Sequence, residues 1–545
     1  MDEPRLVLGP LLRHVDATSA TVWVETDRRC VVEILEAQAH TFCVGGHHYA
    51  LVMLDGLRPG SSNPYQVRLD GRTAWPPAAA AFPESTIRTH ATNQGSALRI
   101  AFGSCRFAAP LTDRQRRKVG GDALNAYAER MAEKPESQWA DALLLLGDQV
   151  YADETSPRTQ QWLRRRRDTT QPPKLGIADF EEYTHLYQET WSDPQIRWLM
   201  STVPTSMIFD DHDVLDDWNT SRDWRQEMAR LPWWTARMRG ALVSYWVYQH
   251  IGNLAPADLL DDPLFEEVQR VGAQGDAHGV LREFADRADA EADGEKPTRW
   301  SYRRDFGSVR LLVIDTRCGR ILDGQRLMVS DAEFDWILNA TRGDYEHLVV
   351  GSSVPWLLPH VVHDLESANE LACEREGWRG RLGERVRQAL DLEHWAAFRL
   401  SFDRLSNLLG DVARGRHTPQ APVTITVLSG DVHHSYIAEA RFAQPATARV
   451  WQLTCSPVHN AIPRLVELAF RAAWEPRIAR VTSWWARRRG IPPLPVTWTK
   501  LSGPVFRNQI ASLEITDDRA SVVFESDEQA GAPVTIPLSA STGSY

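Results

Sequence analysis

Long hydrophobic runs are missing from this 545-residue chain. No stretch approaches about 18 continuous apolar residues, which excludes a membrane-spanning helix. Basic charge is not in excess either. The formal net charge is −11, which argues against nonspecific binding to nucleic acid, because that needs a basic surface to release counterions from phosphates. A local basic pocket for a small phosphorylated substrate remains compatible with it. Cysteine is sparse, with six residues at 30, 43, 105, 318, 373 and 455 and no CxxC pair. No disulfide framework is suggested, and most of these thiols are expected to be small buried hydrophobes in a reduced setting. The first residues, Met1-Asp2-Glu3-Pro4-Arg5, begin no basic-then-apolar leader and no twin-arginine segment. The expectation is therefore a cytoplasmic protein. No internal repeat is found.

What is present is ordinary globular composition, 43% hydrophobic and 24% charged, in a chain long enough for more than one domain. Tryptophan is abundant at 21 copies, many in arginine-rich helical stretches where rings pack under guanidinium groups. Residues 5–90 read as short strands, including Ala20–Glu25, Cys30–Leu35 and Tyr65–Leu69, with turns at Gly56, Pro59-Gly60 and Asp70-Gly71. The expected domains are a small antiparallel sandwich over 1–92, a Pro/Ala-rich connector at Pro76–Pro83, and a catalytic domain over 96–545.

From about residue 97 continuous apolar runs alternate with long helical stretches: Leu98–Phe102, Ala142–Leu146, Thr205–Phe209, Val309–Ile314, Leu348–Val350, Val423–Leu428 and Val450–Leu453. Such runs are buried strands. Ser330-Asp331-Ala332-Glu333 opens a helix in capping-box style. Residues 222–300 form a helical insertion, with Gly275–Glu295 expected to be an exposed helix or loop. A second insertion at 464–490 is basic and amphipathic. It is expected to pack on its own protein, with a lid over an anionic substrate or peripheral contact with a membrane surface as the alternatives. A hairpin, Ala511–Thr516 and Ala520–Glu525, is expected to close the chain.

Three of the strand candidates stop at a glycine or Ser-Gly turn and then present chemistry: Gly103-Ser104-Cys105-Arg106, Gly147-Asp148-Gln149-Val150-Tyr151, and Ser429-Gly430-Asp431-Val432-His433. In sheets covered on both faces, reactive groups collect beyond the carboxyl ends of strands. Asp148 and Tyr151 can approach one ion from a single turn, and a carboxylate can bridge two. A tyrosine ligand must ionise, which with a reference pKa of about 10 requires a strong Lewis acid such as ferric iron. Cys105 reads equally as a thiolate ligand and as an inert core thiol. The stretch from Phe209 to Asn219 carries Asp210, Asp211, His212, Asp213, Asp216 and Asp217 among apolar residues. So much negative charge is hard to bury without a cation. Asp431 and His433 share one side of an extended segment, and His434 and His459 are extra candidates. Arg106 or Arg317 offers a fork for a phosphate oxygen or, as the favoured reading, is an ordinary ion-pair partner.

Taken together, the order Gly-Ser-Cys, Gly-Asp-x-x-Tyr, Asp-Asp-His-Asp and Ser-Gly-Asp-Val-His resembles the PhoD family of metallophosphatases (alkaline phosphatase D), within the calcineurin-like phosphoesterases. The likeness covers most of residues 97–460, and Cys455-Ser456-Pro457 and the preceding sandwich also fit it. It implies an α/β (α+β) fold of two stacked mixed sheets flanked by helices, preceded by an all-β sandwich. It also implies hydrolysis of phosphomonoesters or phosphodiesters at an Fe3+ and Ca2+ centre. Carried over residue by residue, it makes Cys105 and Tyr151 iron ligands, Asp148 the bridging carboxylate, Asp431 and His433 further ligands, and Asp217 a ligand for the second metal. His212 becomes an acid near the leaving group or a residue that orients a ligand, and Arg106 a weaker assistant to the phosphate. The chain departs from the family where Asp213 replaces a glutamate and Asp216-Asp217 replaces an asparagine pair, which bears on the choice of second metal. The missing leader puts a role on external phosphate esters in doubt.

The resulting reading is a binuclear hydrolase with a small phosphate-ester substrate. Two other readings compete: a diesterase for lipids or nucleotides with the 464–490 insertion shaping access, and a non-catalytic binding protein stabilised by its metals.

Overall fold

The computed structural model of the chain describes residues 3–79, 81–91, 97–107, 112–294, 298–527 and 534–539. In the first of these stretches, apolar side chains from two small sheets meet face to face. One sheet orders Leu6–Val15, Ala20–Thr26, His47–Leu54 and Phe42–Val44; the other orders Ala37–His40, Val31–Ile34, Val67–Leu69 and Arg72–Trp75. Val22, Val24, Val32, Ile34, Val52 and Val67 fill the space between them. Ala20–Thr26 is buried at every position rather than at alternate ones, because its outer face docks on the rest of the protein. Trp23 lies 5.3 Å from the ring of Tyr248. Arg13, fully buried, donates to the carbonyls of Thr205, Tyr248 and Gln249 at 3.0, 2.7 and 2.7 Å. A guanidinium so placed stitches the sandwich to the core. The Pro/Ala-rich stretch is pinned as well: Phe82 stacks on Trp198 at 5.2 Å, and Trp198 Nε1 donates to the Pro83 carbonyl. The expected boundary between 92 and 96 lies outside the described residues.

Thirteen strands follow among the described residues: β1 (Leu98–Gly103), β2 (Ala142–Leu146), β3 (Thr205–Ile208), β4 (Tyr302–Phe306), β5 (Val309–Ile314), β6 (His347–Ser352), β7 (Thr424–Ser429), β8 (Ser435–Phe442), β9 (Arg449–Thr454), β10 (Val496–Val505), β11 (Gln509–Thr516), β12 (Arg519–Ser526) and β13 (Val534–Pro537). One sheet orders β3-β2-β1-β11-β12-β13 and the other β4-β5-β6-β7-β9-β8-β10. Within them β1, β2 and β3 run parallel, as do β5, β6, β7 and β9. The two sheets stack. Leu311, Val313, Val349 and Leu428 face the first sheet, and their neighbours Leu312, Ile314, Val350 and Val427 face helices on the far side. This period-2 division is what a strand covered on both faces must show. A Cβ on Gly351 would meet Leu144 and Leu146 at 3.3 Å, so the two sheets pack tightly there. The expected C-terminal hairpin forms, but it does not end the sheet; Val534–Pro537 adds an edge strand beyond it.

Among the described residues, no strand interrupts the chain between Ile208 and Tyr302, as expected. The expectation of an exposed segment at 275–295 is corrected. Leu281, Phe284, Ala285 and Ala288 give His278–Ala290 a buried stripe at helical spacing, and Asp276 accepts hydrogen bonds from Gly45 N and Gly46 N of the sandwich. Four more helices matter below: α1 (His360–Cys373), α2 (Trp378–Ala389), α3 (Arg464–Ala473) and α4 (Pro476–Arg488). α1 packs on both α2 and α4, and Asp364 of α1 accepts from Thr482 and Ser483 of α4 at 2.9 and 2.8 Å. The 464–490 insertion packs on its own protein through α1, as expected, but not by its large apolar side chains. Only Ala473, Ala479 and Ala486 of these two helices are buried; Phe470 packs on the His434 ring at 4.5 Å and Trp485 is half-buried, whereas Leu465, Val466, Leu468, Ile478, Val481 and Trp484 are exposed. No described helix is long and apolar enough to cross a membrane.

Candidate metal centre

Because β1, β2 and β3 are parallel in one sheet, and β5, β7 and β9 in the other, the segments that follow each set emerge together, and the two sets meet at one edge of the stacked sheets. Gly103 pairs with Leu145, and Leu145 with Met207, so the turns after β1, β2 and β3 start at one level. The backbone there is strained. Cys105, Asp148, Asp431 and His433 have φ of 58, 50, 66 and 49°, in a region where non-glycine residues are uncommon and cluster at functional sites. The preceding glycines give room for the turns. A Cβ on Gly430 would collide with Ser104 Oγ, and one on Gly147 would lie 2.7 Å from Asp210 Oδ2.

These turns bring together residues hundreds of positions apart. Donor atoms of Cys105, Asp148 and His433 lie within 4.8 Å of one another, and so do those of Asp148, Asp210 and Asp211. Asp148 belongs to both groups. It is fully buried, and neither carboxylate oxygen has a hydrogen-bond partner. Asp210 Oδ2 and Asp211 Oδ1 are also buried without one. Tyr151 joins the first group from the side; its hydroxyl accepts from Asn460 Nδ2 at 3.1 Å. The Asn460 carbonyl lies 3.1 Å from His433 Nδ1, which fixes the tautomer that leaves Nε2 free to coordinate. Ser104 Oγ and Ser456 Oγ lie 3.2 and 3.3 Å from Cys105 Sγ.

The electrostatics favour a cation. Burial, reinforced by Asp148 and Asp431, pushes the Cys105 thiol well above its ordinary range. Burial, then Asp148 and Cys105, does the same to the Tyr151 phenol. Burial raises Asp148 far above the carboxylate range, with only His212 opposing before Asp210 and Asp211 add to it. Burial and the charge of His212 lower His433 to about 4, so it is neutral. A thiol, a phenol and three carboxyl groups that cannot ionise alone, beside a neutral imidazole, form a donor set that becomes favourable once positive charge sits among them. These residues fit a metal.

His212 stands at the rim. Its Nδ1 is 3.0 Å from Asp153 Oδ2, its Nε2 is 3.7 Å from Asp216, and its ring lies 4.7 Å from Tyr151. Burial opposes its charge, but Asp153 and then Asp211 and Asp148 hold it protonated well above the usual histidine range. Asp213 has turned inward: its carboxylate accepts from Val150 N and Asp210 N at 3.0 and 2.9 Å, pinning the acidic loop to the turn after β2.

Some expected members lie elsewhere. Arg106 is not free to hold phosphate. Its side chain turns into the interior, where it donates to Asp122 and Asp193 at 2.8 and 2.9 Å and to the Thr190 carbonyl. Asp431 is beside the cluster but outside both donor groups; its Oδ2 is 2.9 Å from His394 Nε2 and its Oδ1 3.8 Å from Arg317. Asp217 is likewise outside the groups that contain Asp148. Its Oδ1 is buried without a partner, and burial with the charges of Glu393 and Asp391 lifts it to about 9. The carboxylates that meet Asp148 are Asp210 and Asp211. Their signal was in the sequence, as the first two acids past β3. His434, held between the Val432 carbonyl and Trp474 Nε1, and His459, beside Asp122, are packed residues.

A buried network supports the centre from below; of its members Arg317 was a candidate in the sequence, and it is an ion-pair partner rather than a free phosphate fork. Arg317 is fully buried; it donates to Asp210 and Glu393 and approaches Asp211 at 3.4 Å. His394 bridges Glu366 and Asp431 at 2.7 and 2.9 Å. Glu366, Glu393 and His394 lie outside any motif, on or after helices, so no local pattern marks them.

Comparison with known proteins bears on this arrangement. Residues 118–490 match the family model described as PhoD-like phosphatase, and residues 3–87 match one described as a domain of unknown function (DUF7800). A solved structure described as that of PhoD superposes with a TM-score of 0.57 at 11% identity, covering 99% of this chain and 91% of that one; at this identity it shows the fold. A maltogenic amylase structure from S. marinus, at a TM-score of 0.15 and 8% identity over 95% of this chain and 76% of that one, carries no argument. No curated protein matches the chain.

Proposed function

The chain belongs to the PhoD-like phosphatase family, a family of metal-dependent hydrolases of phosphoric esters, and we propose that it works through a binuclear centre bridged by Asp148. The observation that carries this is the Asp148 carboxylate: buried, unpartnered at both oxygens, and shared by two donor groups. Cys105, Tyr151 and His433 would hold one ion, and Asp210 and Asp211 the other, with Asp217 and Asp431 close enough to adjust around it. The phenolate favours a strong Lewis acid such as ferric iron on the first side, where the thiolate would be a further anionic ligand, and the all-oxygen set favours a hard cation such as calcium on the second. Bound there, such ions would neutralise phosphoryl oxygens and make water nucleophilic at ordinary pH.

The protein's own groups do the rest. Arg317 holds Asp210 and Asp211 in place, and His394 holds Asp431. His212, kept charged by Asp153, presents its Nε2 proton at the rim, where a leaving alkoxide could take it. The substrate proposed is a small phosphate ester.

The test is metal content and turnover together. Natively purified protein should contain both ions, hydrolyse p-nitrophenyl phosphate or the corresponding bis-ester, and lose activity on chelation. Assaying the two esters in parallel separates a monoesterase from a diesterase. Tyr151→Phe should keep iron while losing the visible tyrosinate band. Iron-loaded wild type without such a band would remove Tyr151 from the ligand set, and turnover that survives complete metal removal would end the proposal.

A further inference from the structure

The faces that α3 and α4 leave uncovered do not belong to the metal centre. In α3, Leu465 and Leu468 are 83% and 64% exposed; in α4, Val481 and Trp484 are 64% and 55% exposed. Their spacings of three place each pair on one face of its helix. Across residues 464–489 there are seven arginines and two glutamates, a net of +5 in a chain whose net charge is −11. The helices are therefore amphipathic and locally cationic, and the rest of the chain is acidic. Behind α4 a cleft of about 630 Å³ opens toward β10, lined by Trp474, Trp484 and Trp498 and by Arg480, Arg487 and Lys500, with no carboxylate in its wall. α2 repeats the pattern on the other side of α1: Trp378, Leu382, Val386 and Leu390 recur at every fourth position, all exposed, beside Arg379, Arg381 and Arg385.

We propose that α3 and α4, with this tryptophan-walled cleft, form a docking surface for an anionic phospholipid membrane. Charge complementarity selects that occupant. An apolar stripe rimmed by arginines matches the acyl boundary below and the phosphates above, as in helices that lie in the membrane interface. The surface stands independently of the phosphoesterase reading, so binding, not turnover, is the primary readout.

Sedimentation of the full-length protein with phosphatidylcholine vesicles, and with vesicles containing about 30% phosphatidylglycerol, tests this. Binding to the anionic vesicles alone, weakened by added salt, is expected, with a blue shift of tryptophan emission. Replacing Arg480 and Arg487 by Gln should lower the partition coefficient about thirtyfold. Leu465→Ser with Leu468→Ser, and Val481→Ser with Trp484→Ser, should each lower it at least tenfold. Hydrolysis of a soluble ester and the unfolding temperature serve as controls for folding. Should a variant misfold, the wild-type contrast between the two vesicles still decides. Absence of binding, equal binding to both vesicles without salt dependence, or a wild-type dimer that the serine variants dissociate would each overturn the proposal.

Discussion

Replacing Asp148 by Asn should separate stability from metal binding. In protein stripped of metal, the Asp148 carboxylate is buried, has no donor at either oxygen, and faces Asp210 and Asp211. Each buried acceptor left without a partner costs about 1–3 kcal/mol, and an uncompensated buried charge about 3–5 kcal/mol. Protonation limits this cost without removing it, since a neutral carboxyl still lacks partners. The amide of the Asp148→Asn variant keeps the shape and cannot ionise, so the metal-stripped variant should be more stable than metal-stripped wild type, by about 1–3 kcal/mol. With metal the order reverses. At a free metal concentration a thousandfold above Kd, wild type should gain about 4 kcal/mol. The variant, lacking the bridging anion, should gain less than half of this and turn over at background rate. Thermal unfolding of stripped and reloaded samples of both proteins, with elemental analysis on the same material, reads all of these. The reasoning fails if the stripped variant is less stable than stripped wild type, or if the two reload with the same metal and the same rise in melting temperature.

Two further perturbations test other joints of the fold. His47 of the sandwich lies 2.9 Å from both Glu25 and Glu181; burial opposes its charge, but the hydrogen bonds to Glu181 and Glu25 lift its pKa to about 9. From an unfolded value near 6.5, this contributes at most about 3 kcal/mol, fully present below pH 6.5 and lost as pH rises through 9. Urea midpoints of wild type and His47→Gln should differ at pH 6 and converge above pH 9, and a difference independent of pH would refute the ion-pair account. Gly430→Ala drives a methyl group into Ser104 Oγ, the acceptor for Asp431 N. It should cost about 1–3 kcal/mol and, by displacing Cys105, lower kcat at least tenfold; a variant with wild-type kcat and melting temperature would show that the contact is slack.

The sheets were legible because strands covered on both faces read as apolar runs, and Leu311 through Ile314 carry no polar residue to confuse the assignment. The turns were legible for a related reason. Gly103, Gly147 and Gly430 mark places where the chain must bend tightly, and the residues after them were bound to share one edge. Which of those residues converge was not legible. Asp217 and Asp210 are equally acidic in the sequence. Only the emergence of Asp210 directly from β3, level with Asp148, puts its carboxylate beside the bridge. Arg106 misled because position next to Cys105 says nothing about side-chain direction; the buried acids Asp122 and Asp193 that claim it are distant in sequence. The outward faces of α3 and α4 show the limit in the other direction, since an amphipathic stripe states that something covers it and not what does.

The departures from the family's acidic motif acquire distinct meanings once their positions are known. Asp213, which stands where the resemblance expects glutamate, spends its carboxylate on Val150 N and Asp210 N. It is a clasp between the turns after β2 and β3, and the shorter side chain suits two backbone donors close at hand. Asp216, exposed, and Asp217, half-buried, stand where asparagines are expected, near Asp391 and Asp211, with Glu393 beside Asp217. Burial and these like charges raise both, to about 7 and about 9. A neutral asparagine pair would leave that flank uncharged; two aspartates add up to two negative charges beside the proposed second position. The extra charge favours a small or highly charged cation there, and it raises the cost of leaving the position empty. Any change of metal preference relative to a chain with asparagines should therefore trace to Asp216 and Asp217, with Asp213 affecting only how firmly the two turns are held together.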